Sequence, residues 1–90
     1  MAGQINGFRM DVESVTCDRI VPNYRFFRVA EVLNSASERP SDAVDGYILA
    51  FRWEALSYCT QIFVDPNKND IWIRSDKGTG FGEWGKMAKV

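Results

Sequence analysis

Carboxylates, two thiols and aromatic rings are the side chains that could do chemistry in this 90-residue chain, because it contains no histidine. Histidine is the commonest general base and metal ligand, and no spacing here supplies another base for a serine or cysteine nucleophile. A carboxylate pair formed in three dimensions is the open alternative. The acidic residues that stand in turn-like segments are Asp42, Asp45, Asp65, Asp70 and Asp76. We therefore predict that the protein is not an enzyme and has no catalytic residues, metal or cofactor.

One acidic segment has the spacing of a calcium-binding loop. Asp65, Asn67 and Asn69 place oxygen side chains at alternate positions, and Asp76 stands where the twelfth ligand would fall. However, Asp70 occupies the sixth position, where such a loop needs glycine for its sharp turn. The flanking segments also alternate as strands do. A hairpin turn is therefore the favoured interpretation.

The glycine-rich segment 78–82 has the composition of a phosphate-binding loop. That motif needs a strand before it, a helix after it and usually a lysine or a distant acid. Too few residues follow the segment to make the helix. We interpret it as a turn between strands.

The composition describes one small domain with a marginal core. Ninety residues, 46% hydrophobic and 13% aromatic, can bury a core, but domains of this size often gain stability from disulfides, metals or oligomerisation. Cys17 and Cys59 are predicted to be reduced thiols, with a disulfide as the alternative, so association between copies is favoured. The net charge of −1 gives no general attraction for nucleic acid or anionic lipid. No apolar run approaches the roughly 18 residues of a membrane span, and the N-terminus has no secretory segment.

The hydrophobic pattern predicts a mainly β fold, with α+β as the alternative, built as a small antiparallel sheet or sandwich. Residues 46–53 and 57–64 alternate as strands do, and a hairpin loop fits the short gap between them. Residues 65–70 form a strong turn signal, and 71–74 read as a short strand. Residues 24–33 fit either a helix or a strand, and their aromatic and β-branched side chains favour the strand.

The aromatic rings are the remaining candidates for binding. Rings interleaved with Arg25, Arg28, Arg52 and Arg74 could stack on nucleobases or sugars. Burial in the core or in an interface between copies is the ordinary role of such rings in a small domain, and it is the favoured interpretation.

Five short motifs follow one another between residues 36 and 84. They are Ala36–Pro40, Gly46–Leu49, Tyr58–Phe63 with a central glutamine, Ile71–Arg74 and Phe81–Trp84. In this order they resemble the knob domain of R-type pyocin and bacteriophage tail fibres, over a region from about Asp18 to Val90. Phe81 stands where that family usually has tryptophan, and the Asp-rich opening near Asp18 is weak. The resemblance implies a compact, mostly β domain in a homotrimeric virion component without a catalytic centre.

The length of the chain favours a knob that stands alone. A shaft and a baseplate segment do not fit into the residues ahead of the match, so we expect residues 1–16 to be an anchoring arm and 17–90 a knob-like β-domain. Our leading hypothesis is a trimeric capsid decoration, or cement, protein that clamps neighbouring capsid subunits at three-fold positions. It would be made in the host cytoplasm and lie on the capsid surface of the virion. Its partners would be its own copies and the major capsid protein, with no nucleic acid and no membrane.

Specific residues are assigned to each contact under this hypothesis. The capsid-binding arm would use Ile5, Phe8, Met10, Val12 and Val15. The trimer interface or core would use Phe51, Trp53, Tyr58, Trp72 and Trp84, with Trp72 and Trp84 expected in the core. The alternative function is a receptor-binding knob of a tail fibre or fibre tip that recognises a host surface glycan, and a more remote one is a single-strand nucleic-acid-binding module.

Overall fold

A computed structural model describes residues 11–22, 27–53 and 58–87. They form one six-stranded sheet whose strands lie in chain order. The strands are β1 (Asp11–Glu13), β2 (Phe27–Val32), β3 (Gly46–Trp53), β4 (Tyr58–Asp65), β5 (Asp70–Asp76) and β6 (Gly85–Lys86). The predicted mainly β class is confirmed. The described ranges contain no α-helix, only a 3₁₀ turn at Cys17–Arg19, and no helix able to cross a membrane.

The sheet is mixed, so the prediction of a purely antiparallel sheet is wrong at one edge. β2 to β6 pair antiparallel with their neighbours, whereas β1 runs parallel to β2. A parallel pair needs a connection that crosses back over the sheet. Here the 3₁₀ turn belongs to that connection, and its Cys17 is fully buried.

The segment that fitted either a helix or a strand is a strand where the structure describes it. Residues 27–32 pair along their whole length with β3, from Phe27 opposite Phe51 to Val32 opposite Gly46. Pairing satisfies the backbone hydrogen bonds that a helix would have satisfied locally. Residues 23–26 and the expected hairpin loop at 54–56 lie outside the described residues.

Both predicted turns between strands are present. β4 ends at Asp65 and β5 begins at Asp70. Between them, the backbone N–H of Asn67 donates to Asp65 Oδ1 at 2.9 Å. After β5, the amides of Gly78 and Gly80 donate to Asp76 Oδ1 at 2.8 and 3.1 Å. A phosphate-binding loop would turn such amides toward its ligand, whereas here a side chain of the protein occupies them.

The core lies between one face of the sheet and the irregular connections. A row of side chains in register crosses the sheet through Ala30, Ile48, Phe63 and Trp72. The Phe63 ring meets the rings of Trp72 and Trp84 edge-on, with centroids 6.0 and 5.9 Å apart. The connections cover this row with Cys17, Ile20, Ala36 and Ala43, all of which are buried.

Gly46 allows the sheet to pack closely where β3 begins. A Cβ atom at this position would overlap the Val64 carbonyl oxygen and come within 2.9 Å of the Phe63 ring. Because the obstacle is backbone as well as a buried ring, neither neighbour can easily move away.

We therefore expect Gly46→Ala to lower the free energy of unfolding by about 2 kcal/mol or more. Gly82→Ala is the matched control, since a Cβ there would lie 3.9 Å from the nearest atom outside its chain neighbours. Urea unfolding followed by tryptophan fluorescence measures both. Equal midpoints for the two variants would contradict the packing argument.

Candidate functional site

The two faces of the sheet differ in chemistry. We call the covered side the closed face; its side chains are Ala30, Val32, Ile48, Ala50, Cys59, Gln61, Phe63, Trp72 and Arg74. We call the other side the open face; its side chains are Phe27, Val29, Glu31, Tyr47, Leu49, Phe51, Trp53, Tyr58, Thr60, Ile62, Val64, Ile71, Ile73 and Ser75. These closed-face side chains are buried, whereas Arg28 and Arg52 on the same side of the sheet are half-buried. Those of the open face are half-buried or exposed.

A buried polar pair holds the connections against the closed face. The Gln61 side chain is completely buried, and its Nε2 donates to the carbonyl oxygens of Cys17 and Ile20 at 2.7 and 2.9 Å. Its Oε1 accepts from Arg74 Nε at 2.8 Å. Arg74 Nη2 in turn donates to Asp18 Oδ1, also at 2.8 Å. One amide thereby fixes both ends of the 3₁₀ turn onto the centre of the sheet.

Two rings near the C-terminus flank the same arginine. The Arg74 guanidinium carbon lies 4.3 Å from the centroid of the Phe81 ring and 4.4 Å from that of Trp84. Trp84 Nε1 donates to the Glu38 carbonyl oxygen at 2.8 Å. Arg74 is only 5% exposed, yet hydrogen bonds, an ion pair and two ring faces all stabilise its charge.

A cleft of about 490 Å³ opens beside this arginine. Its lining consists of Asp18, Glu38, Ser41, Arg74, Phe81, Gly82, Glu83 and Trp84. Three carboxylates against one guanidinium give the lining a net negative charge. Carboxylate oxygens accept hydrogen bonds from hydroxyl groups, and ring edges offer apolar contact. The cleft therefore suits a neutral or cationic polar group rather than an anion.

The open face is a continuous apolar surface. Its central row, in register across four strands, is Val29, Leu49, Ile62 and Ile73. Glu31, at the β2 side, is the only charged residue among the described residues of this face. Ile73 in the middle of β5 remains 40% exposed, so the described residues leave much of the face uncovered.

Aromatic side chains concentrate at one end of the open face. The Phe27 and Phe51 rings lie 5.2 Å apart, and Trp53 meets Tyr58 edge-on at 5.9 Å. Trp53 is 60% exposed. Large aromatic side chains with this exposure are the usual anchors of protein interfaces.

The structure divides the five residues expected at the trimer interface or core into two groups. Phe51, Trp53 and Tyr58 lie on the open face, and Trp72 and Trp84 pack on the closed side. Trp72 is buried, and Trp84 is half-buried against the core. The sequence predicts Trp72 and Trp84 in the core, but it does not decide between core and interface for the other three.

The arginines that alternate with the aromatic rings lie on the opposite side of the sheet. Arg28 is in register with Ala50 on the closed side, and its guanidinium binds Asp11 Oδ2 at 2.8 Å. Arg52 is in register with Cys59, also on the closed side. Arg25 lies outside the described residues.

The second half of the predicted arm is attached to the sheet. β1 belongs to this half, and the Ser37 amide donates to the Val15 carbonyl oxygen at 2.8 Å. Within it, Val12 and Val15 are 59% and 56% exposed, which leaves both side chains accessible to a partner. The other three predicted capsid contacts, Ile5, Phe8 and Met10, lie outside the described residues.

Both cysteines are free and buried. Burial in low-dielectric surroundings raises the pKa of the Cys17 thiol to about 11, against the opposing attraction of the Arg74 charge. Burial also raises the pKa of Cys59. Neither thiol has the lowered pKa of a catalytic nucleophile. Within the described ranges, no group of three or more acidic or thiol side chains is placed to hold a metal ion.

Gln61 and Arg74 both stand in the sequence motifs, but the motifs alone did not predict the hydrogen bond between their side chains. Both residues alternate with apolar neighbours in strands whose register brings them side by side. A glutamine and an arginine at positions that face the core are a sequence signal for a buried polar network, because buried polar groups need partners.

Comparison with protein-family models, with curated proteins and with solved structures finds no match to this chain.

Replacing Gln61 with leucine tests the polar pair. Gln61→Leu leaves two buried carbonyl oxygens and the Arg74 Nε without their partner, so we expect a loss of about 2–4 kcal/mol in unfolding free energy. The neighbouring Thr60→Val removes a half-buried hydroxyl on the open face, and we expect it to cost less than about 1 kcal/mol. Urea unfolding compares the two. A Gln61→Leu variant as stable as Thr60→Val would show that the network contributes little.

The raised pKa of Cys17 predicts a pH dependence of stability. The unfolded thiol ionises with an ordinary pKa of 9.0, while the folded thiol stays protonated up to about 11. Stability from this group is therefore complete below pH 9 and falls as the pH rises toward 11. Cys17→Ala has no thiol to ionise at this position. The excess of the wild-type unfolding free energy over that of the variant should therefore decrease as the pH rises through this range. Parallel pH profiles in chemical unfolding would contradict the assignment.

Proposed function

We propose that this chain is a non-enzymatic structural protein of a bacteriophage virion, a trimeric capsid decoration protein that clamps neighbouring capsid subunits at three-fold positions. The observation that carries the proposal is the open face. The described residues leave a nearly uncharged, aromatic-rich sheet face largely uncovered, and such a face is suited to assembly because exposed apolar surface of this extent marks interaction sites. Association between copies would also add stability to a domain of this size.

The resemblance to tail-fibre knob domains supports the virion context. The residues that carry it meet in one place: Gln61 and Arg74 bind each other, while Phe81 and Trp84 flank Arg74. Ala36, from the first motif, is buried in the same core. Residues from four of the five motifs thus lie together in this chain.

Symmetry explains how such a protein could hold a capsid together. A trimer placed on a three-fold axis presents each contact three times, so individually weak contacts add to strong binding. The accessible Val12 and Val15 at the β1 edge give the described part of the predicted arm apolar contacts for this purpose.

The cleft beside Arg74 favours a second candidate function, a receptor-binding knob that recognises a host surface glycan. Sugar hydroxyls can donate to the carboxylates of Glu38 and Glu83, and sugar C–H groups pack against rings such as Trp84. Saturable binding of host lipopolysaccharide to the isolated protein, without binding to capsids, would select this function over decoration.

Binding of single-stranded nucleic acid has less support. Proteins that bind single-stranded nucleic acid by base stacking place aromatic rings and cationic side chains on one surface. Here the exposed rings of Phe51 and Trp53 and the guanidinium of Arg28 belong to opposite sides of the sheet.

The decoration proposal predicts which variant loses capsid binding. Because residues 11–16 are attached to the sheet and Val12 is in register with Glu31 on the open face, the informative variant deletes residues 1–10 and adds only Val15→Ser. We expect its occupancy on capsids assembled without the protein to fall at least about tenfold, since multivalent binding amplifies each lost contact. Its mass by light scattering should stay that of a trimer. Capsid co-sedimentation measures occupancy.

The control for this experiment is Val44→Ser, which alters a similarly accessible valine elsewhere, at 51% exposure. It should decorate capsids as the wild type does. Full occupancy by the arm variant would overturn the arm's role, and absence of binding by the wild type would overturn the decoration function.

A further inference from the structure

We infer that the open faces of three copies turn toward one another about a three-fold axis, so that each open face is covered by its neighbouring copies with the aromatic end in the contact. This inference rests on the self-assembly in the proposed function and deepens it, since it identifies the surface through which copies meet. It also gives each copy a side that faces other copies and a side that faces outward. The open face turns toward other copies, while the Arg74 cleft on the other side of the sheet stays outward.

The size of the open face is the first argument. Four strands spaced about 4.8 Å apart, each six to eight residues long at about 3.3 Å per residue, span roughly 450 Å² of sheet plane. The relief of pleated side chains adds to this area. The plane alone is therefore a little over half of the roughly 800 Å² that each partner buries in a stable interface of standard size.

The charge of the open face is the second argument. Among the described residues, Glu31 carries its only charge and sits at its margin on β2, so the face offers neither a polyanion nor a polycation a complementary surface. A partner must be equally uncharged and nearly flat, and another open face meets both requirements.

The aromatic end is the third argument. Trp53 is the most exposed large side chain of the face, and Tyr58 supports its ring edge-on at 5.9 Å. Phe51 packs against Phe27 beside it. Such a cluster is pre-ordered in the single chain, so covering it costs little side-chain entropy and gives most of the binding energy.

Residues 1–10 are the competing occupant from the same chain. They precede β1, which lies beside β2, and ten extended residues reach about 33 Å, enough to cross the four strands. A chain that covered its own face in this way would stay monomeric when intact and associate when truncated. The two occupants therefore predict opposite effects of the same deletion.

The test is the solution mass by light scattering with sedimentation equilibrium, on the full chain and its variants. We expect the wild type to have a mass of about three times 10.3 kDa. Trp53→Glu should weaken association at least about 30-fold and yield monomer at low micromolar concentration. Ile73→Lys, in the central row of the face on β5, should do the same. Val44→Glu introduces the same charge off the face and should keep the wild-type mass.

The circular dichroism spectrum of each variant establishes that it is folded. Folded Trp53→Glu and Ile73→Lys proteins that keep the wild-type mass would overturn the inference. So would a monomeric wild type, or association that appears only after residues 1–10 are deleted. Capsid co-sedimentation is scored separately. Retained decoration by face variants of unchanged mass would refute the face assignment but not the function. Dissociation of these variants, together with no capsid binding by the trimeric wild type, would do the reverse.

Discussion

The hydrogen bond between Gln61 and Arg74 is the contact on which the rest of the structure depends. Gln61 reaches the backbone of the N-terminal connection, and Arg74 reaches Asp18 and the rings of Phe81 and Trp84. Two side chains from neighbouring strands therefore hold segments from both ends of the domain against the middle of the sheet. In a buried site each of these polar atoms would be costly without its partner, so the network specifies one arrangement of the connections.

This arrangement explains why the sheet has one closed and one open face. The irregular connections that the structure describes supply Cys17, Ile20, Ala36 and Ala43 to the closed face. The described residues leave the apolar side chains of the open face largely without cover, and the proposed assembly rests on this feature.

The same asymmetry separates two kinds of surface by chemistry. Exposed apolar side chains such as Trp53 and Ile73 are concentrated on the open face, whereas charged and polar groups line the cleft at Arg74. A protein that assembled through the first surface would still present the second to its surroundings. Decoration and receptor binding would therefore differ in which surface meets the external partner.

The sequence by itself determined the mainly β class, the strands 46–53 and 58–65 in outline, and the turn at 65–70, because alternation and turn residues act locally. The absence of histidine and the near-neutral charge likewise need no structure. Only the tertiary structure decided which face is covered. Both faces of β3 carry apolar side chains, Ile48 and Ala50 on one and Leu49 and Phe51 on the other, so alternation alone fits either choice. The crossing connection after β1 and the Gln61–Arg74 pair make that choice, through contacts between residues far apart in the chain. For the same reason Trp72 and Trp53, equivalent in sequence pattern, lie in the core and on the open surface respectively.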